Sequence, residues 1–284
     1  MTPLRQAMID AMHQRGFSAR THQSYLAAVT RLAAHYHRPP DQLDAQDIQR
    51  YFEHLVQARE LSGATCKLYL NGIRFFYRQV LQWPDLDLAI TLPKRKQRIP
   101  ELLTREEVAR ICTSVNNPKH HSLLLTCYGC GLRVSELVTL KVRDLDGERH
   151  LLRVAQGKGG KDRLVIISEG LLQALRAYYS HYHPVHWLFA GQQPDHPLSI
   201  QSAQCTFVTA KRRAGIDKTG GIHSLRHAYA THQLQAGMRI DALQRQLGHQ
   251  DVRTTLRYVH WVPDYRQAQS AGADLVHQLG VDHD

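Results

Sequence analysis

Gly221 to His227 reads G-I-H-S-L-R-H, Leu247 to His249 reads L-G-H, and Thr254 to Tyr258 reads T-T-L-R-Y. Apolar spacing and glycine stops predict three short helices here: His223 to Ala236 ended by Gly237, Ile240 to Leu247 ended by Gly248-His249, and Val252 to Val259. His223 and Arg226, at i and i+3, share one helical face. The stretch therefore gathers two proton carriers (His223, His249), an always-charged guanidinium (Arg226) and the phenol of Tyr258. A guanidinium pairs with phosphate oxygens in a bidentate fork. A phenol can serve as a covalent nucleophile. These are the parts needed to handle a phosphodiester.

Two upstream residues would complete such a site. Arg133, in C-G-L-R-V-S-E-L, follows the glycine stop of a helix over about Pro118 to Cys130 and opens the next, Val134 to Leu140. A helix start already favours anions, and Glu136, three residues on, can hold the guanidinium in place. The alternative is an ordinary surface Arg–Glu pair. His150 to Ser168 is the one clear β signal: L-L-R-V-A and R-L-V-I-I flank a glycine-rich tip, Gln156 to Asp162, with Lys158 between Gly157 and Gly159. A mobile hairpin can bring a lysine to a leaving oxygen, whereas a plain solvated turn would also carry two lysines. The tip is not a P-loop, for it lacks the G-x-x-x-x-G-K-[ST] pattern.

The chemistry assigns roles. Arg133 and Arg226 suit the non-bridging phosphate oxygens. His223 is placed to take the phenol proton, His249 to donate to a non-bridging oxygen, and Lys158 to protonate the leaving 5′-oxygen. A covalent phosphotyrosine conserves the bond energy, so no ATP is needed. No cofactor and no metal is expected, as the sequence shows no carboxylate cluster of the two-metal type.

Residues 1–89 read as a helical bundle of four segments. Leu4, Met8, Ala11 and Met12 form the first apolar stripe; Tyr25, Ala28, Val29, Leu32 and Ala33 form the second. Asp44 to Arg59 is the third helix, and Ser62 caps a fourth with Leu68, Ile73, Phe76, Tyr77, Val80 and Leu81 facing inward. Arg20, His22, Lys67, Arg74 and Arg78 are left for polar faces, with Lys67 and Arg74 as candidate DNA contacts. Residues 90–100 change character and read as a basic linker, in which Lys94, Arg95, Lys96 and Arg98 are expected to follow a phosphate backbone. A nuclear-signal-like run is the alternative. Residues 101–284 form the second domain, opening on a capping box at Thr104 to Glu107. Glu169 to Tyr179 is expected to be helical. His181 to Pro197 is expected to be a loop anchored by Trp187-Leu188-Phe189, followed by helices over Ser199 to Ala214 and Asp264 to Gly280.

The 284 residues carry a formal charge of +11, which calls for a polyanionic partner. No apolar run approaches a membrane span, and Met1 to Asp10 lacks the basic-then-apolar pattern of a secretory signal. Five cysteines, an odd number in a large chain, argue against a disulfide framework and for a reducing, cytoplasmic setting. Cys127 and Cys130 lack a second ligand pair for zinc and read as packed helix residues. His181, His183 and His186, interrupted by Pro184, read as a solvated turn rather than a metal cluster.

The ordered set Arg133, Lys158, His223-x-x-Arg226, His249 and Tyr258, in G-L-R, G-K-G, H-S-L-R-H and L-G-H contexts, resembles the tyrosine recombinases of the phage-integrase family, closest to the compact Xer-type members. All six family positions are filled. The resemblance implies a SAM-like core-binding bundle followed by a mainly helical catalytic domain with a small antiparallel sheet. It implies two domains that clamp double-stranded DNA, and strand exchange in a homo-tetramer, or a hetero-tetramer with a related recombinase. The C-terminal helix, here Asp264 to Gly280, would pack on a neighbouring protomer. The implied activity is cutting and rejoining of DNA through a 3′-phosphotyrosine, as the integrase or resolvase of a mobile element or replicon. A non-cleaving DNA-binding accessory protein and a type IB topoisomerase-like enzyme are the competing readings.

Overall fold

Side-chain caps fix where the N-terminal helices begin. Thr2 precedes α1 (Pro3–Gln14), Ser18 precedes α2 (Ala19–Tyr36), Asp44 precedes α3 (Ala45–Gln57) and Ser62 precedes α4 (Gly63–Phe75), each accepting from a backbone amide of the first turn. Asp44 and Asp47 form a reciprocal capping box. Each such cap contributes about 1 kcal/mol. The structure is a computed structural model that describes residues 2–83, 90, 100–155 and 162–262. The chain divides into two units, residues 1–98 and 99–284.

In the first unit Met8, Met12, Ala28, Leu32, Ile48, Phe52, Cys66, Ile73 and Phe76 form one buried core. Gly72 lets α2 and α4 meet closely, since a Cβ there would lie 3.0 Å from the Tyr25 Cα. A π-turn, Phe76–Val80, ends α4. Two expectations fail. Leu68 is 40% exposed, because α4 turns Cys66, Tyr69, Leu70 and Ile73 inward, and the residue between those stripes faces water. His22 is buried rather than on a polar face, its ring in edge contact with His13 of α1. Position 22 is one heptad before Val29 and so shares that core-facing stripe. Lys67 is exposed and Arg74 partly buried. Lys94, Arg95, Lys96 and Arg98 lie outside the described residues.

The second unit begins with the reciprocal capping box of Thr104 and Glu107 on α5 (Arg105–Thr113). It continues through α6 (Pro118–Gly129), α7 (Val134–Val138), a three-stranded antiparallel sheet, α8 (Glu169–Tyr182), α9 (Ile200–Arg213), α10 (His223–Gln235), α11 (Ile240–Leu247) and α12 (Val252–Val259). The sheet runs β1 (Leu145–Asp146), β2 (Leu151–Val154), β3 (Arg163–Ile166), with Leu152 opposite Val165 and Val154 opposite Arg163. The sequence revealed only the hairpin, since a two-residue strand such as β1 carries no alternation to read. Helix α8 runs one turn further than expected and takes in His181; His183, at φ +45°, ends it. Leu188 and Phe189 are buried, as the anchor reading required, whereas Trp187 is only half-buried.

Cys112, Cys127 and Cys130 are buried free thiols whose pKa values burial pushes up to about 12. Among the described residues no group of three metal-ligating side chains converges, and no helix is long and apolar enough to cross a membrane. Residues 156–161, with Lys158, and Asp264 to Gly280 lie outside the described residues.

Candidate active site

Helix α10 is buried on most sides. Leu225, Ala228, Tyr229 and Ala230 pack into the unit, which leaves His223, Arg226 and His227 on the face toward α12. Arg226 is only 1% exposed. Burying a guanidinium is costly unless every donor finds an acceptor. Here Nη1 donates to the Gly131 carbonyl at 2.7 Å and Nη2 to the Leu247 carbonyl at 2.7 Å. Nη2 also lies 3.0 Å from Nε2 of His249. Gly131 delivers its carbonyl through a turn at φ +59°, where a Cβ would strike the Tyr229 ring at 2.4 Å. Burial, then Arg133, lowers the Arg226 pKa to about 10, which still leaves it charged at neutral pH.

Arg133 sits at the start of α7. Its Nη1 donates to Oε1 of Glu136 at 2.6 Å, and its backbone amide donates to Oε2 at 2.9 Å. Glu136 is an anionic hub. Arg163, the first residue of β3, grips both its oxygens at 2.9 and 2.8 Å, and Arg226 lies 3.7 Å away. The Arg163 Nε donates in turn to the Gln246 carbonyl at 2.9 Å. One carboxylate thus ties α7, β3, α10 and, through Arg163, the end of α11. Burial pulls the Glu136 carboxyl upward, but hydrogen bonds and charge from Arg163 and Arg133 outweigh it and hold the pKa at about 2.

That shift carries a stability prediction. A carboxyl depressed from 4.5 to about 2 contributes about 3 kcal/mol. The contribution is fully present above the unfolded value near 4.5 and is lost as pH falls through 2. Glu136→Gln is therefore expected to unfold more easily in urea at pH 7 by about 3 kcal/mol, with the gap to wild type shrinking by more than half by pH 3. A gap that stays constant over that range would show that the carboxylate charge is not what stabilises.

His249 follows Gly248, which closes α11 at φ +64°. A Cβ at Gly248 would lie 2.7 Å from Cδ of Arg163, so glycine is needed for the close approach as well as for the turn. Arginine can only donate, so Nε2 of His249 accepts, and Nδ1–H donates to Oγ1 of Thr255 at 2.8 Å. Burial, then Arg226, Arg133 and Arg163, pushes the His249 pKa down to about 3, leaving it neutral. Its ring stacks parallel to Tyr258 at 6.2 Å and 7°.

Tyr258, on α12, is 4% exposed. Its Oη is 3.1 Å from Nδ1 of His227, and the Trp261 ring stands edge-on at 5.2 Å. Burial raises the phenol pKa, with Arg226 and Arg133 working against the rise. Arg133, His223, Arg226, His249 and Tyr258 line one open pocket of about 210 Å³, joined there by His227 and Trp261. Five of the six residues singled out from sequence thus converge, and the sixth, Lys158, lies outside the described residues. The phenol's imidazole partner is His227, not His223; His223 is exposed at the helix start, and its ring touches His227 at 4.6 Å.

Sequence reasoning missed His227 and Arg163. His227 is four residues from His223, so helical spacing placed it on the same face. Arg163 alternates with the buried Val165, which turns a charged side chain toward the core and calls for a partner.

The Phage integrase family profile matches residues 101–263, and the profile of its N-terminal SAM-like domain matches residues 4–85. A putative integrase/recombinase of Sinorhizobium fredii, y4qK, is 39% identical over 278 residues, which is 97% of this chain and 90% of that protein. The crystal structure of XerA recombinase superposes with a TM-score of 0.56 at 26% identity, covering 95% of this chain and 98% of that one. The Tn1549 transposon integrase, solved with a circular-intermediate DNA, shares the fold at a TM-score of 0.71 and 18% identity, covering 91% and 95%. With a family profile over more than half of its residues and a relative alike along nearly all of it, the chain belongs to the phage integrase family and is a tyrosine-type site-specific recombinase.

Proposed function

We propose that this recombinase cuts and rejoins double-stranded DNA through a 3′-phosphotyrosine on Tyr258, as the integrase or resolvase of a mobile element or replicon in the cytoplasm. The observation that carries the reading is the placement of the Tyr258 phenol in one pocket with Arg133 and Arg226. A scissile phosphate there meets two guanidiniums aimed at its non-bridging oxygens, where charge grows in the transition state. Arg226 is already fixed by two backbone carbonyls, so little reorganisation accompanies the reaction.

His249 completes the anion site by a proton shift. Its Nε2 accepts from Arg226. When a phosphate oxygen takes the Arg226 donor, the neutral ring donates from Nε2, and Thr255 reverses to donate from Oγ1 to Nδ1, as a hydroxyl can. Lys158 is the proposed acid for the 5′-oxygen. Residues 1–89 are the proposed core-binding domain, with Lys67 and Arg74 toward DNA. Residues 90–100, with Lys94, Arg95, Lys96 and Arg98, are a proposed backbone-following linker to a catalytic domain over 101–284. The charge of +11 supports a DNA partner. So does the fold shared with the DNA-bound Tn1549 integrase. A homo-tetramer, or a hetero-tetramer with a related recombinase, is the proposed assembly.

The test is a trapping assay on nicked duplexes drawn from DNA flanking the gene, without divalent metal. A covalent band on a denaturing gel, whose nucleotide-bearing peptide contains Tyr258, is the expected result. Tight binding with no band on any flanking duplex would favour a non-cleaving accessory role. Relaxation of supercoils irrespective of sequence would favour a topoisomerase.

A further inference from the structure

We propose that His227, rather than His223, takes the proton of the Tyr258 phenol as the tyrosine–phosphorus bond forms and returns it when that bond breaks. The inference rests on Tyr258 being the nucleophile. Three imidazoles stand at this pocket, and geometry distinguishes them. His227 alone has a ring nitrogen against the phenol, Nδ1 to Oη at 3.1 Å. Both nitrogens of His249 are engaged, one by Arg226 and one by Thr255, and its ring lies parallel to the phenol rather than pointing a nitrogen at it. His223, one turn earlier on α10, is exposed and meets the His227 ring edge-on. Arg226 reaches the phenol as well, but a guanidinium can only donate.

The surroundings keep His227 ready to accept. His223 and Arg226 flank it on α10, Arg257 and Tyr258 approach from α12, and Arg133 lies across the pocket. Burial, then His223 and Arg226, holds its pKa at about 4, so the ring is neutral at pH 7. A base this weak does not strip the phenol unaided. An incoming phosphodiester changes the balance by setting negative charge against Arg226 and Arg133. A lone pair on Oη forms the O–P bond, the Oη proton passes to Nδ1 to give an imidazolium, and the P–O5′ bond breaks. The 5′-oxygen departs with a proton from an acid, the role proposed for Lys158. In rejoining, the 5′-hydroxyl attacks phosphorus and the departing phenolate recovers its proton from His227. His223 is then free for the phosphate side of the pocket.

Single-turnover adduct formation on a nicked duplex, from pH 6 to 9.5, tests the assignment in His227→Asn, His227→Ala and His223→Asn. The asparagine amide overlays the Nδ1 position and can bond to the phenol, yet cannot take up a proton. His227→Asn is expected to form adduct at least about 100-fold more slowly at pH 7, with a rate that climbs about tenfold per pH unit, while its affinity for the duplex stays near wild type. A substrate with sulfur at the 5′-bridging position, whose leaving group needs no acid, is expected to rescue Lys158→Ala but not His227→Asn. A rate within threefold of wild type, or rescue by sulfur, would overturn the assignment. Loss of adduct in His223→Asn with His227→Asn unaffected would return the role to His223. Wild type that forms no Tyr258 adduct on any duplex removes the nucleophile and this inference together. A second readout leaves His227 in place: in ¹⁵N-histidine spectra, Tyr258→Phe is expected to move the Nδ1 resonance of His227, and movement of His223 alone would refute the contact.

Discussion

Tyr258→Phe is expected to abolish the covalent protein–DNA adduct while leaving duplex binding and thermal stability close to wild type. The expectation follows from what the substitution removes. The ring stays, with its burial, its stack on His249 and its edge contact with Trp261. The hydroxyl's contacts with His227 and Arg226 are lost, each worth about 1 kcal/mol. Only the Oη atom that would join phosphorus is gone. The chemistry proposed for it is demanding, since forming a phenolate at pH 7 from a reference pKa near 10 costs about 4 kcal/mol, and burial raises that value further. Other phenols are poorly placed to substitute. Burial pushes the Tyr229 pKa up to about 12, and the Tyr128 hydroxyl pairs with His232. A covalent band of wild-type intensity in Tyr258→Phe would therefore move the nucleophile elsewhere. Nicking without a covalent band, in wild type and variant alike, would indicate hydrolysis by another agent.

Much of the site was legible because its residues sit where local sequence rules are strong. Glycine stops at Gly131 and Gly248 mark where Arg133 and His249 leave the core, and the i, i+3 pair on α10 shares a face whatever the tertiary fold. What could not be read is which member of a shared face meets which neighbour. His223 and His227 are both on the side toward α12, and only the packed position of that helix decides that the phenol bonds to the second. The same difficulty placed Leu68 indoors: α4 has apolar residues at 66, 68, 69 and 70, and the contact with α2 at Gly72 selects the rotation. Arg163 was hidden for another reason. Its partner Glu136 is 27 residues away in sequence, and no local pattern announces a long-range ion pair. The fold class needed less, because the helical apolar stripes of residues 1–89, the cap at Ser62, the capping box at Thr104 and one glycine-tipped hairpin already imply a helical chain with one small sheet.

Arg226→Lys and Arg226→Ala separate what the buried guanidinium does for the fold from what it does for the reaction. Alanine leaves the Gly131 and Leu247 carbonyls without their donor and Glu136 with one cation fewer. Breaking a buried, fully paired charge costs about 3 to 5 kcal/mol, which in a unit of this size lowers the thermal midpoint by roughly 10 °C. Lysine keeps the charge near Glu136 but has one donor atom in place of the planar fork, so a single Nζ cannot occupy both Nη positions that meet the Gly131 and Leu247 carbonyls. Both variants are expected to lose cleavage by about 10³ to 10⁵, measured below the midpoint of the weaker one. The fold is expected to suffer less in lysine than in alanine. His249 supplies a further readout. Burial and then Arg226 hold its pKa at about 3, so alanine at 226 is expected to raise it by NMR titration, while lysine leaves it low. Cleavage by Arg226→Lys within tenfold of wild type would show that charge alone suffices, and the bidentate fork would then have no part in the reaction. If stability fell in both variants while cleavage persisted, Arg226 would be a structural tie among Gly131, Leu247 and Glu136, and Arg133 alone would face the phosphate.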